Sequence, residues 1–331
     1  MSDGALLAER STIDWMPLLI EARNADEEET RLLLDRDGLA VGSMDSTART
    51  LLSLAAEHGL EAVVKLLLYR EDVEPDSKDK SNRTPLSYAA QKGNGAVAGL
   101  LLRRPGVDPD SRDESNRTPL SYAAQNGHEM VVGRLLCLSD VDSDSKDKSN
   151  RTPLSYAAEN GCAGVVRLLL YQKGVDPNSK DELNRTPLSY AVQNGHETAV
   201  VLLLDWPGVD ANLGDSLGRT PLSYAAGNVV VERLLLGRPG VHPDWKDKSK
   251  RTPLSFAAQD GHEAATARLL QSRQEVKDNL KDNQGFVAGS EHEPVEDSVK
   301  VQIFTLCWWR KAADIGTNRK MTDKVWWIAE V

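Results

Sequence analysis

The chain has 331 residues, of which 40% are hydrophobic and 27% are charged, and its formal net charge is −10. This apolar content is enough for a packed core and excludes wholesale disorder. The acidic balance argues against a nucleic-acid partner, because phosphate binding needs a surplus of Lys and Arg. No apolar run reaches the roughly 18 residues that a membrane span requires, so no membrane partner is expected.

The N-terminal region, residues 1–44, is acidic, with 4 Lys and Arg against 10 Asp and Glu. Its first residues include early acids and lack the apolar stretch of a secretory signal. The chain has only 3 cysteines, which is typical of a reducing compartment. We therefore expect an intracellular protein, cytoplasmic, nuclear or both. The segment MPLLIEARNADEEETRLLL at 16–34 predicts a helix pair that is a degraded copy of the repeat that follows.

An octapeptide, RTPLSYAA or a close variant, recurs six times along the chain. Its threonines are spaced by 34 residues four times and then by 32. They are Thr84, Thr118, Thr152, Thr186, Thr220 and Thr252. A weaker copy, RTLLSLAA, lies at 49–56. With the degraded first copy, the pattern gives eight units, and a period of this length indicates a repeat architecture.

Each unit predicts two helices. Thr84 is typical of a helix N-cap and Pro85 of the first helical position, while Gly93 fits the left-handed residue that ends the first helix. Asn82 shares its column with Asn or Gly in most repeats, which indicates a turn with positive φ. Lys250 is the exception in that column, and we expect either strain or a different turn there. The seventh unit lacks two residues before its turn glycine, so we expect a shorter first helix.

These units resemble the ankyrin repeat, whose signature includes T-P-L-H-x-A at a period near 33. Six copies in register make the resemblance specific. The sequence pattern DSKDxxxRTPLSYAA is similar to that of ankyrin arrays of filamentous fungi. One departure is Ser at the family's His position, as in Ser87, where we expect a shorter hydrogen bond back to the cap. The resemblance implies an all-α solenoid that binds a protein partner through its concave groove and hairpin tips, without catalysis.

The predicted organisation has three parts. Residues 1–44 form an acidic N-terminal region with the degraded first repeat. Residues 45–280 form the ankyrin repeats, one degraded and six clear. Residues 281–331 form a polar linker and a tail that contains four of the seven tryptophans, and we expect this part to be poorly ordered.

One basic position recurs just before each cap threonine, where the resemblance implies a face that meets partners. We take these arginines as candidate partner-binding residues: Arg83, Arg117, Arg151, Arg185, Arg219 and Arg251. A row of guanidinium groups suits an acidic or phosphorylated segment. The alternative is that each arginine pairs with an aspartate four residues earlier, as in Asp79–Arg83. We expect the chain to be a monomer.

No catalytic, cofactor-binding or metal-binding residues are predicted. Asp140, Asp142 and Asp144 imitate the start of a calcium loop, but Ser145 stands at its sixth position and Arg151 at its twelfth, where the loop needs Gly and Glu. No glycine-rich phosphate motif occurs. The predicted function is therefore a non-catalytic protein-interaction scaffold. The alternative is a sensor or regulatory fragment related to a nucleotide-hydrolysing signalling protein.

Overall fold

The computed structural model describes residues 14–35, 42–225 and 227–259. Over these ranges the chain forms fifteen helices and no strand beyond one isolated bridge, which confirms the predicted all-α fold. All of the described residues belong to one compact unit. The tail predicted at 281–331 lies outside the described residues.

The helices come in pairs, and each pair belongs to one repeat. Their bounds are α1 Met16–Asn24, α2 Glu27–Leu34, α3 Leu51–His58, α4 Glu61–Leu68, α5 Pro85–Lys92, α6 Gly95–Leu102, α7 Pro119–Gln125, α8 Glu129–Leu136, α9 Pro153–Glu159, α10 Ala163–Leu170, α11 Pro187–Gln193, α12 Glu197–Asp205, α13 Pro221–Tyr224, α14 Val229–Leu236 and α15 Pro253–Gln259. From α3 onward each first helix packs on the first helix of the next repeat, and from α2 to α14 the second helices do the same. None of these described helices has the length and apolar content to cross a membrane.

The first helices begin as their sequence predicts. The Thr84 hydroxyl accepts a hydrogen bond from the Ser87 backbone amide, and Pro85 follows at the first helical position. The Ser87 hydroxyl lies 3.1 Å from the Thr84 hydroxyl. Serine at the family's histidine position thus bonds back to the cap, which confirms that expectation.

Positive φ at two positions shapes the helix end and the hairpin turn of a repeat. Gly93, at φ 75°, ends α5 in the left-handed conformation, and Asn82, at φ 59°, forms the hairpin turn. Lys250 adopts the same conformation at φ 62°, and its amide donates to the Asp247 carbonyl as Asn82 does to Asp79. The expectation of a different turn at Lys250 is therefore wrong. The other expectation, backbone strain at Lys250, is met. A positive φ is unfavourable for lysine because its Cβ crowds the backbone in that conformation.

The core consists of small and branched aliphatic side chains, such as Leu86, Ala89 and Leu101, each 0% exposed. Polar side chains also join consecutive repeats. A ring nitrogen of His128 lies 3.0 Å from the Gln91 carbonyl of the preceding repeat. Asn94, in the same column, donates to two carbonyls of the repeat before it. This column therefore has a structural role.

The seventh repeat is irregular. Its first helix, α13, has 4 residues, whereas the other described first helices have 7 to 9. Thr220 makes no capping hydrogen bond there. Instead, Asn228 caps α14, and the Gly227 amide donates to the buried side chain of Glu232. The missing residues therefore shorten the helix, as predicted, and change how the turn is satisfied.

Candidate functional site

A carboxylate organises each hairpin turn beside the candidate arginines. In the third repeat, Asp79 Oδ1 accepts hydrogen bonds from the backbone amides of Ser81 and Arg83, both at 2.8 Å. The Asp79 amide donates to the Arg83 carbonyl at 3.0 Å. The aspartate column is therefore first a set of turn-forming residues, which hold the arginine backbone in place.

The second oxygen of that carboxylate accepts from a tyrosine. The Tyr88 hydroxyl donates to Asp79 Oδ2 at 2.5 Å, and four later repeats repeat this bond at 2.5–2.7 Å. Burial and the neighbouring Asp79 raise the pKa of Tyr88 to about 12. The tyrosine is therefore neutral and fixed, with its ring beside the arginines.

The guanidinium groups stack on these rings in a continuous row. The Tyr122 centroid lies 4.6 Å from Arg83 Cζ and 4.1 Å from Arg117 Cζ, within the range of cation–π attraction. We call this row the Arg–Tyr column, and its members are Arg49, Tyr88, Arg83, Tyr122, Arg117, Tyr156, Arg151, Tyr190 and Arg185. Stacking fixes each guanidinium plane and so reduces the entropy that binding would cost.

The last three candidate arginines behave as the alternative interpretation predicts. Arg185, Arg219 and Arg251 form ion pairs with the aspartates four residues earlier, at 2.7–3.0 Å. In each, Nε donates to the aspartate Oδ2. Their charge is therefore compensated within the hairpin.

The other arginines reach instead to the residue eight positions later, near the end of the first helix. Arg49 and Arg151 form ion pairs there with Glu57 and Glu159. Arg83 donates to the Gln91 side-chain oxygen at 2.7 Å, and Arg117 to that of Gln125 at 2.6 Å. Pairing of all the arginines with the aspartate column is therefore wrong, because Arg83, Arg117 and Arg151 bond to the residue eight positions later instead.

Arg83 and Arg117 thus differ from the rest of the row. Neither forms an ion pair with any residue in the described ranges, and glutamine is a neutral partner. Their Nε atoms are buried without a hydrogen-bond partner, as are those of Arg49 and Arg151, and no hydrogen bond to a described residue engages either Nη1. Two adjacent, stacked guanidinium groups therefore keep uncompensated charge.

The column ends where the repeat is shortened. Tyr190 has two guanidinium neighbours, at 4.7 and 4.5 Å. Tyr224, in the seventh repeat, has Arg219 at 4.8 Å, and the preceding Arg185 does not stack on it. Arg185 is held by Asp181 instead, while Tyr224 keeps its hydroxyl bond to Asp215.

The hairpin tips form a second row beside the column. The tip amide of each repeat donates to a carbonyl of the preceding tip, as from Glu114 to Ser81 at 2.9 Å. Leu183 and Leu217, 51% and 49% exposed, stand on adjacent tips where the other clear repeats have serine. Sequence reasoning missed this pair and also missed the tyrosines, although the Arg-to-Tyr spacing is constant in the repeat.

Chemically reactive groups are few in the described part of the chain. Burial raises the pKa of the Cys162 thiol, and nearby Glu129 raises it further, so this thiol is a weak nucleophile at neutral pH. Within the same residues, no cluster of three or more His, Cys, Asp or Glu side chains could hold a metal ion.

Comparisons with known proteins agree with this geometry. A family model described as ankyrin repeats (3 copies) matches residues 18–113, 86–181 and 173–242. The crystal structure of the human ASB11 ankyrin repeat domain aligns with a TM-score of 0.60 and 24% identity, over 72% of this chain and 100% of that chain. At this identity the likeness supports the fold alone. No curated protein sequence matches at a significant level.

Proposed function

Because the chain belongs to the ankyrin repeat family, whose stacked repeats form protein-interaction domains, we propose that it is a non-catalytic scaffold that binds an acidic segment of a partner. Solenoids of this kind use extended concave surfaces for binding. The proposed contact surface is the Arg–Tyr column with the hairpin tips beside it.

The observation that carries the proposal is the unequal pairing of the arginines. Arg49, Arg151, Arg185, Arg219 and Arg251 already have a carboxylate partner. Arg83 and Arg117 have glutamine instead. Binding energy from an acidic ligand is gained at guanidinium groups whose charge is not already neutralised. We therefore narrow the six candidates to Arg83 and Arg117, which flank one ring, that of Tyr122.

An extended partner segment suits this pair. Side chains two residues apart on such a segment lie about 7 Å apart on one face. Two carboxylates, or one phosphate and one carboxylate, would each face one guanidinium group. Planar guanidinium groups favour these anions because they donate two parallel hydrogen bonds.

The test adds a carboxylate partner beside each of the two arginines without changing the fold. Gln91→Glu with Gln125→Glu gives Arg83 and Arg117 the partner that Arg49 and Arg151 already have. The probe is a fluorescent octapeptide of alternating Glu and Ser, followed by anisotropy at low salt. The variant should bind more weakly by about 1 kcal/mol, roughly fivefold, per arginine. Its affinity should also depend less on salt.

The matched control is the reverse exchange, Glu57→Gln with Glu159→Gln. It removes the carboxylate partners of Arg49 and Arg151 and should strengthen binding of the same peptide. A second control is the octapeptide with Gln in place of Glu, which should not bind. Equal affinity of the wild type and both variants for the acidic peptide would refute the role of this column.

A further inference from the structure

A second repeated position lies in the loops that connect one repeat to the next. It is occupied by Asp76, Asp110, Asp144, Asn178 and Asn212 in five consecutive loops. The asparagines show what the position does. Asn178 accepts a hydrogen bond from the Asp210 amide at 3.0 Å and donates through Nδ2 to the Gly208 carbonyl at 2.7 Å. Asn212 makes the same two bonds to the next loop, at 3.0 and 2.8 Å.

The aspartates keep only one of these two bonds. A backbone amide of the following loop donates to each carboxyl: that of Asp108 to Asp76, and that of Asp142 to Asp110. The amide of Asp176 does the same for Asp144. In all three residues, however, Oδ1 is buried and has no hydrogen-bond partner.

By analogy with the asparagines, the repeat register indicates the carbonyl that each aspartate Oδ1 would meet. The asparagine amide donates to the carbonyl of residue 208 or 240, and the equivalent carbonyls in the earlier repeats belong to residues 106, 140 and 174. An ionised carboxylate has no hydrogen to donate to a carbonyl, whereas a protonated carboxyl donates through its O–H. A proton on the aspartate therefore restores the bond that asparagine makes.

The charges around each aspartate favour the protonated form. Glu74, Lys78 and Asp108 face Asp76, while Asp108, Arg112 and Asp142 face Asp110. Asp142, Lys146 and Asp176 face Asp144. Each site thus has two acidic neighbours and one basic neighbour. Burial, with the acidic neighbours adding to it, raises the pKa of all three carboxyls to about 6.

We propose that Asp76, Asp110 and Asp144 are a proton-sensitive coupling between repeats, in which each protonated carboxyl donates a hydrogen bond to the following loop. Protonation in mild acid forms this hydrogen bond in three successive loops, which precede the third, fourth and fifth repeats. The loops that contain Asn178 and Asn212 make this hydrogen bond at any pH, because the asparagine amide does not titrate.

The sign of the effect follows from linkage. The pKa of these carboxyls is higher in the folded chain than in the unfolded chain, so the folded chain binds more protons between about pH 4 and pH 6. The array therefore gains stability as the pH falls through about 6. At neutral pH the three ionised carboxyls destabilise it relative to asparagine.

The test compares the full chain with a variant that carries Asp76→Asn, Asp110→Asn and Asp144→Asn. In urea denaturation the variant should have the higher midpoint at about pH 7.5, and its advantage should shrink by about pH 5. The opposite exchange, Asn178→Asp with Asn212→Asp, should lower the midpoint at the higher pH and lower it less at the acidic pH. Side-chain carboxyl NMR of the wild type should show three groups that titrate near pH 6 and vanish in the asparagine variant.

A charge-matched control separates this bond from a general effect of net charge. Glu71→Gln, Glu114→Gln and Glu182→Gln remove three exposed carboxylates, and their effect should change little between the two pH values. The proposal is overturned if the asparagine variant is no more stable than the wild type at about pH 7.5, or if its pH dependence matches that of this control.

Discussion

At the residue scale, the chain repeats a small set of side chains whose hydrogen bonds are specific to one position. Thr152 illustrates this: its hydroxyl accepts the Ser155 amide at 3.2 Å and lies at the same distance from the Ser155 hydroxyl. The side chain is 0% exposed. Thr220 occupies the equivalent position in the seventh repeat but makes no capping bond.

This difference gives a matched pair of substitutions. Thr152→Ala should lower the free energy of unfolding by about 1 kcal/mol, the usual cost of losing such a cap. Thr220→Ala should cost clearly less, because no cap is lost. Urea denaturation of both variants measures this. Equal costs would show that the cap geometry does not determine the stability of these positions.

At the element scale, the irregularity of the seventh repeat changes two helices and the surface above them. Its helix α13 spans Pro221–Tyr224, and the turn that follows relies on Asn228 and on Glu232. The equivalent helix of the fourth repeat, α7, spans Pro119–Gln125. Fewer backbone hydrogen bonds hold the shortened helix, so it should open more often.

Hydrogen exchange tests this prediction. Amides at 222–232 should exchange faster than those at 120–130 in the fourth repeat. Insertion of Gln-Asn between residues 226 and 227 restores the regular length and should slow exchange in the seventh repeat. Exchange at 222–232 no faster than in the fourth repeat would contradict the account of this element.

The period and the cap residues predict these elements because helix ends depend on local chemistry. Thr84, Pro85 and Gly93 indicate the bounds of α5 without reference to the rest of the fold. The partner of Arg83 could not be predicted in the same way. It depends on the tyrosine rings of its own and the next repeat and on the residue eight positions later. These groups meet only in the folded array.

At the scale of the whole molecule, the repeats contact their neighbours in a row, so local differences remain local. The Arg–Tyr column ends at the sixth repeat, and the loops proposed to be proton-sensitive precede the third, fourth and fifth repeats. The division into an acidic N-terminal region, an array to residue 280 and a tail stays a proposal. The chain is acidic, with a net charge of −10, and the other arginines of the row already have a carboxylate partner.

The central claim is that an acidic segment binds at Arg83 and Arg117. The most direct measurement is NMR of the arginine side chains, since stacked guanidinium groups give separate Nε–Hε signals. During titration with the acidic octapeptide, the signals of Arg83 and Arg117 should shift together. Those of Arg219 and Arg251, which are held by their own aspartates, should stay in place. Shifts confined to Arg219 and Arg251, or no shift along the row while the peptide binds, would contradict the claim.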